Sequence, residues 1–288
     1  MLQFRRDAVS LAAALFVSRF VHYLATSILF GGALFPLHGI ASATDAHGAL
    51  PWLRQLLFHA GWLALISGIA WFVFSAAEMS ASPAGIIAGR VWLFRLVLAA
   101  GLVLLLLRRQ LTIQGNYAAL VGALILLASI PWIGHGGSDG GASAPVRAFH
   151  LVAAGVWTGA LIVFAGLTVP AARRLRDDDL RRLHYALEQF SGVGSVVVGV
   201  LLLTGIILLG RPNTSDTYDQ VLFAKLAMFA AMLFFATANR FWLTPRLSAR
   251  LGSTEGLANA VRALRISLLA ETALALLVFA AVALLDGL

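Results

Sequence analysis

Eight stretches of this chain each run for about twenty residues with hardly a charge inside them. A helix needs about 20 apolar residues to cross the hydrocarbon of a bilayer. The runs at roughly 15–37, 56–77, 86–107, 117–134, 146–169, 190–210, 220–241 and 265–285 therefore read as transmembrane helices. Strands do not fit, because period-two alternation is missing and each run is too long. The expected fold class is all-α: a polytopic membrane protein with eight transmembrane helices in one integral membrane domain, 1–288. Composition agrees. Hydrophobic residues make up 60% and charged residues 12%, against about 45–50% and about 25% in soluble domains. A water-soluble core of this size cannot hide that excess, which excludes a soluble enzyme and a disordered chain. The apolar stretch from Ala8 to Phe35 exceeds a signal-peptide core. Residues 2–16 either lengthen the first helix or lie along the interface.

The net charge of +8 is no nucleic-acid footprint, so no nucleic-acid partner is expected. Apart from Arg19, Arg95 and Lys225, the 21 Lys and Arg residues lie in or near the gaps between the apolar runs. Gaps 1–2, 3–4, 5–6 and 7–8 hold thirteen of them and the opposite side five. Basic loops stay cytoplasmic, so both termini are expected on the periplasmic side of a bacterial inner membrane. The charged segment 171–189 would be a cytoplasmic helix or turn. Cysteine is absent. Any metal must then be held by His, Met, carboxylate or backbone.

The two halves resemble each other. Arg19-Phe-Val-His22-Tyr-Leu-Ala25 leads to Gly31, and Arg147-Ala-Phe-His150-Leu-Val-Ala153 leads to Gly159; the Arg, His, Ala and Gly coincide at one offset. Ser67-Gly68-Ile69 matches Thr204-Gly205-Ile206, and Arg95-Leu96 matches Lys225-Leu226. This reads as a parallel four-plus-four duplication, with halves 1–134 and 135–288 related by an axis along the membrane normal. His22 and His150 become equivalent, and the reading places them facing each other across or near that axis.

Ionisable groups within a bilayer are expensive and usually functional. The candidates gather toward the outer side: His22 and His150, His135 after span 4, Glu78 and Met79 after span 2, and Lys225, with Arg95 deeper. Asp139 lies in the Gly-rich loop joining His135 to His150. Met228 and Met232, four apart, share one helix face. Imidazole with thioether suits Cu(I), imidazole also serves Cu(II), and zinc fits this set less well. The metal-ligating candidates are His22, His150, His135, Met79, Glu78, Met228 and Met232; no catalytic residue is assigned. Each has a plain reading beside it, as a packing contact, a solvated helix end or a snorkelling side chain. His38, His47, His59 and His184 read as structural or solvated. Glu271 lies within about two turns of the cytoplasmic end of span 8, where it either pairs with an Arg or serves a proton path.

Phe149-His150-Leu-Val-Ala-Ala-Gly-Val-Trp157-Thr-Gly159 resembles the His-Leu-x-Ala-Ala-x-x-Trp-x-Gly signature of the copper resistance protein D family (CopD/PcoD). Leu222-Phe-Ala-Lys225-Leu226 is similar to that family's seventh span. Asn239-Arg240-Phe-Trp-Leu243-Thr-Pro245-Arg246-Leu247 is similar to its Asn-Arg-x-x-Leu-x-Pro-x-Leu exit, and Gly134-His135 also fits. The resemblance covers essentially the whole chain. It implies an inner-membrane copper homeostasis protein that moves copper ions together with a separate periplasmic carrier of the CopC type.

The expected function is copper translocation rather than enzymatic catalysis. His135, Met79 and Glu78 would receive copper at the periplasmic mouth. His22 and His150 would form the principal site, with Met228 and Met232 as the next station inward. No Gly-x-x-x-x-Gly-Lys-[Ser/Thr] motif occurs, which leaves passive, ion-coupled or handover-driven movement. Two readings compete. His22 and His150 on facing helices would also suit the axial positions of haem b in a membrane electron-transfer protein, and a non-transporting scaffold or sensor would need neither histidine.

Overall fold

The computed structural model describes residues 2–39, 51–76, 83–108, 112–133, 143–174, 177–209, 216–251 and 255–287. Its eight long helices are α1 (Leu2–Gly39), α2 (Pro51–Ser75), α3 (Pro83–Leu106), α4 (Ile113–Ala128), α5 (Ala144–Arg174), α6 (Asp177–Leu209), α7 (Asp216–Ala238) and α8 (Leu257–Leu285). A one-turn 3-10 helix, Ile130–Trp132, extends α4. A π-helical turn, Asn239–Leu243, and a short helix, Thr244–Ser248, continue α7. No strand occurs among the described residues. All eight helices are long and apolar enough to cross a membrane. Helices satisfy every backbone donor and acceptor internally, which hydrocarbon demands.

Several helices outrun the apolar stretches that announced them. Residues 2–16 do lengthen the first helix, since α1 starts at Leu2. Within the segment 171–189, α6 begins at Asp177. Its 33 residues span about 50 Å at 1.5 Å each, so its charged first turns reach past a hydrocarbon layer of about 30 Å. Similarly, α8 starts at Leu257, eight residues before the apolar run at 265.

Helices α1 and α5 form the centre. Over half of α1's spanning window and two-thirds of α5's are buried, against 6% of that of α7. They pack on each other along a seam of glycines. A Cβ on Gly31 would stand 2.8 Å from the Gly159 Cα and would also strike the Gly155 carbonyl. Only residues without a side chain let two helix backbones approach so closely. Around this pair, α1 packs on α2, α4 and α8, and α5 packs on α6, α8 and α4. Edge-to-face aromatics carry the core outward, Phe35 on Phe164 and Phe164 on Phe190, each at 5.4 Å between ring centres.

Candidate functional site

His22 and His150 sit in two separate cages, the first built from α1–α4 and the second from α5–α7. His22 is buried, 2% exposed. Its Nδ1 lies 3.0 Å from the Ala64 carbonyl and 3.2 Å from Ser67 Oγ, both on α2. Gly68 beside Ser67 opens the space: a Cβ there would meet the imidazole Cε1 at 3.2 Å. Trp71 and Trp92 wall the ring at 5.7 and 6.5 Å, and they pack edge-to-face on each other at 5.1 Å.

The third wall is Arg95 of α3, itself 1% exposed. Its Nη2 lies 2.6 Å from His22 Nε2, and its Nη1 donates to the Leu126 carbonyl and Ser129 Oγ, both at 2.5 Å. A guanidinium has donors only. His22 Nε2 must therefore accept, which puts the ring proton on Nδ1, donating to Ala64. Both ring nitrogens are engaged and the imidazole is neutral.

His150 on α5 likewise turns to the helix that follows its own. Its Nδ1 lies 2.8 Å from Thr204 Oγ1 on α6, and a Cβ on Gly205 would meet its Cε1 at 3.9 Å. The Thr204 hydroxyl donates to the Val200 carbonyl, so it accepts from Nδ1–H. Lys225 of α7 stands close enough for its charge to act on the ring. His150 is only half-buried, and its Nε2 has no partner among the described residues.

The expectation that the two imidazoles face each other is not met. His22 is nine residues before Gly31, and His150 nine before Gly159. At about 100° per residue, nine residues turn a helix by a net half-turn. The seam glycines face each other, so both histidines point away from the seam, toward α2 and α6. That arrangement does not offer one haem two axial ligands. Among the described residues, no three His, Asp or Glu side chains gather as a metal-holding group.

The other expected ligands divide. Lys225, Met228 and Met232 follow at intervals of three and four on one face of α7. Met228 is half-buried and Met232 is in the core. His135, Glu78, Met79 and Asp139 lie outside the described residues, as does His47. His59 is exposed and bonds the Gln55 carbonyl through Nδ1, and His184 pairs with Glu188 at 3.5 Å.

Two polar centres were not read from the sequence in full. Tyr23, next to His22, donates its hydroxyl to Asp286 at the end of α8. The charges of Arg19, Arg147 and Lys225 also act on that carboxyl, so cations from α1, α5 and α7 converge on one carboxylate. An acid directly after the last apolar run was the available signal. Glu271 is the other centre. It lies fourteen residues into α8, about four turns, because the helix begins eight residues before the apolar run. Its Oε1 accepts from Trp157 Nε1 at 2.8 Å and its Oε2 from Asn239 Nδ2 at 3.0 Å.

Known proteins resolve the family. A model described as "Copper resistance protein D" matches residues 184–285, and one described as "Copper resistance protein D-like, N-terminal domain" matches residues 10–145. The chain belongs to the copper resistance protein D family. Copper resistance protein D of Pseudomonas syringae pv. tomato is 29% identical, over 92% of this chain and 93% of its own length. Inner membrane protein YebZ of Escherichia coli (strain K12) is 27% identical, over 80% of this chain and 84% of its own. No solved structure matches.

The residues that resembled the copper resistance protein D signatures prove to have distinct tasks. In the α5 segment, His150 turns to Thr204, Trp157 donates to Glu271, and Gly159 touches Gly31 across the central seam. In the exit of α7, Asn239 donates to Glu271. Arg240 turns the other way, to the Ser191 carbonyl and Ser195 Oγ of α6.

Proposed function

We propose that this chain carries copper ions across the bacterial inner membrane, with His150 as the principal ligand on the route. The observation that carries the reading is the state of that ring. Thr204 holds Nδ1, which leaves Nε2 free to bind a soft metal ion at the half-buried edge of the bundle. Imidazole and thioether together suit Cu(I). Copper would arrive from a separate periplasmic carrier of the CopC type and pass residues His135, Glu78 and Met79 on the way to His150. Met228 and Met232 would offer the next station along α7. Few ligands at each stop favour release. His22 belongs to the same duplicated design, but copper enters its cage only if Arg95 leaves Nε2.

The inner-membrane location is supported by the printed name of the Escherichia coli relative, and the basic gaps favour both termini on the periplasmic side. The four-plus-four arrangement is favoured by the contact of Gly31 with Gly159, since residues related by a twofold axis touch each other only near that axis. It is favoured too by the parallel pairs His22–Ser67 and His150–Thr204.

The test is copper accumulation in cells carrying His150→Ala at equal protein abundance. The reading expects accumulation to fall to the level of cells without the protein. Thr204→Val keeps the size but drops the orienting hydroxyl. Loss of such a supporting group typically costs about 10–100-fold in metal affinity, read by Cu(I) competition on purified protein. Wild-type accumulation in His150→Ala cells would defeat the assignment.

A further inference from the structure

The polar centre at the middle of α8 stands apart from both histidine cages. Glu271 is 2% exposed, and its two carboxyl oxygens meet only neutral donors, Trp157 Nε1 and Asn239 Nδ2. An ionised carboxylate away from water costs several kcal/mol. Hydrogen bonds to the charged form offset that cost in part. Two such bonds bring the ionised and protonated forms close in free energy, which is the condition for taking up and releasing a proton.

A nearby cation would settle the matter in favour of the ion, and among the described residues none is there. Glu271 forms no ion pair with Arg262 or Arg265, which lie toward the start of its own helix. On α7, Lys225 sits fourteen residues from Asn239, about 21 Å along the helix. In the continuation of α7, Arg240 is turned to Ser191 and Ser195, and Arg246 is exposed on the short helix. On α5, His150 is two turns from Trp157 and bonded to Thr204, with Arg147 a turn farther. On α1, Arg19 and Tyr23 face Asp286 and His22 faces Arg95.

A second observation points to the protonated form. Asn239 is 7% exposed, and its Oδ1 is buried with no partner. Half a turn of the amide exchanges Nδ2 for Oδ1. The same side chain then donates to a carboxylate in one setting and accepts from a carboxylic acid O–H in the other. Asn239 also opens the π-helical turn of α7, a distortion that is frequent at functional sites. One turn before Glu271, Ser267 Oγ is likewise buried and unpartnered, which leaves room for the polar set to rearrange.

We propose that Glu271 is a reversible proton-binding site inside the membrane, with Asn239 serving both protonation states and Trp157 as a fixed donor to the ionised one. The site stands independently of the copper route. Its test uses the full chain in copper-free lipid vesicles, by infrared difference spectroscopy between acidic and alkaline buffer. A protonated-carboxyl band should rise on acidification, shift in D2O and vanish in Glu271→Gln. Trp157→Phe keeps a ring but removes the N–H, so the carboxyl should hold its proton to higher pH by about one unit, a tenfold change for about 1.4 kcal/mol. If Glu271→Gln does not fold, wild type and Trp157→Phe decide alone. A wild-type spectrum without the band, a band unchanged in Glu271→Gln, or a midpoint unmoved by Trp157→Phe overturns the proposal.

Discussion

Arg95 places its guanidinium 2.6 Å from Nε2 of His22 and thereby fixes the proton of that ring on the opposite nitrogen. A cation and a neutral imidazole share one buried cage with the Ala64 carbonyl, the Ser67 hydroxyl and two tryptophans. The Arg95 charge has no carboxylate partner among the described residues. It is held by carbonyl, hydroxyl and imidazole acceptors and by the Trp92 ring at 6.0 Å.

Removing that cation should have two effects. Arg95→Met leaves His22 Nε2 without its donor, and an unsatisfied buried acceptor costs about 1–3 kcal/mol. The melting temperature of the detergent-purified variant should fall. The same change frees Nε2, so Cu(I) competition should detect an additional binding event. With Arg95 intact, His22→Ala should leave Cu(I) affinity unchanged. Abolished copper binding in His22→Ala would show that the latch does not exclude metal.

The glycine seam gives a contrast between positions. A Cβ at Gly31 meets the backbone of Gly155 and Gly159, and one at Gly159 meets the backbone of Gly31 and Gly32. Backbone cannot swing aside as a side chain can. Gly31→Ala and Gly159→Ala should each cost about 1–3 kcal/mol or more, as overpacking does. Gly101 and Gly199 have nothing within 4 Å of a built Cβ. Alanine there should be neutral or stabilising by up to about 1 kcal/mol. Thermal unfolding of the four variants checks the order, and equal losses at all four would refute the seam.

The cluster at Asp286 should depend more on the carboxylate than on its hydrogen bond. Tyr23→Phe removes one donor, for a loss of about 1 kcal/mol. Asp286→Asn also leaves Arg19, Arg147 and Lys225 without their shared counter-charge, so its melting temperature should fall further. High salt should narrow the gap between the two variants, because screening weakens the cation cluster but not the phenol contact. A gap that does not respond to salt would argue against charge as the cause.

The membrane character of the chain was legible because hydrocarbon imposes a length and a composition on every segment that crosses it. Apolar run length counted the helices correctly but placed their ends poorly. The starts of α6 and α8 are charged or mixed, and such turns continue a helix without continuing its hydrophobicity. Glu271 accordingly lies about four turns from the start of its helix, against two from the start of the apolar run. The pairs Ser67-Gly68 and Thr204-Gly205 were visible as a repeat. Their service to His22 and His150 was not, since a hydroxyl 45 or 54 residues away carries no local pattern.

Sequence alone determined that this chain crosses a bilayer eight times and carries the signatures of a copper resistance protein D family member. Which polar group meets which was decided only in three dimensions. The rotation of α1 against α5 is set by backbone contact at Gly31 and Gly159, and that rotation turns His22 to Arg95 and His150 to Thr204 instead of to each other. Helical periodicity says which residues share a face. Only close packing, through the one orientation in which backbones can touch, says what that face will meet.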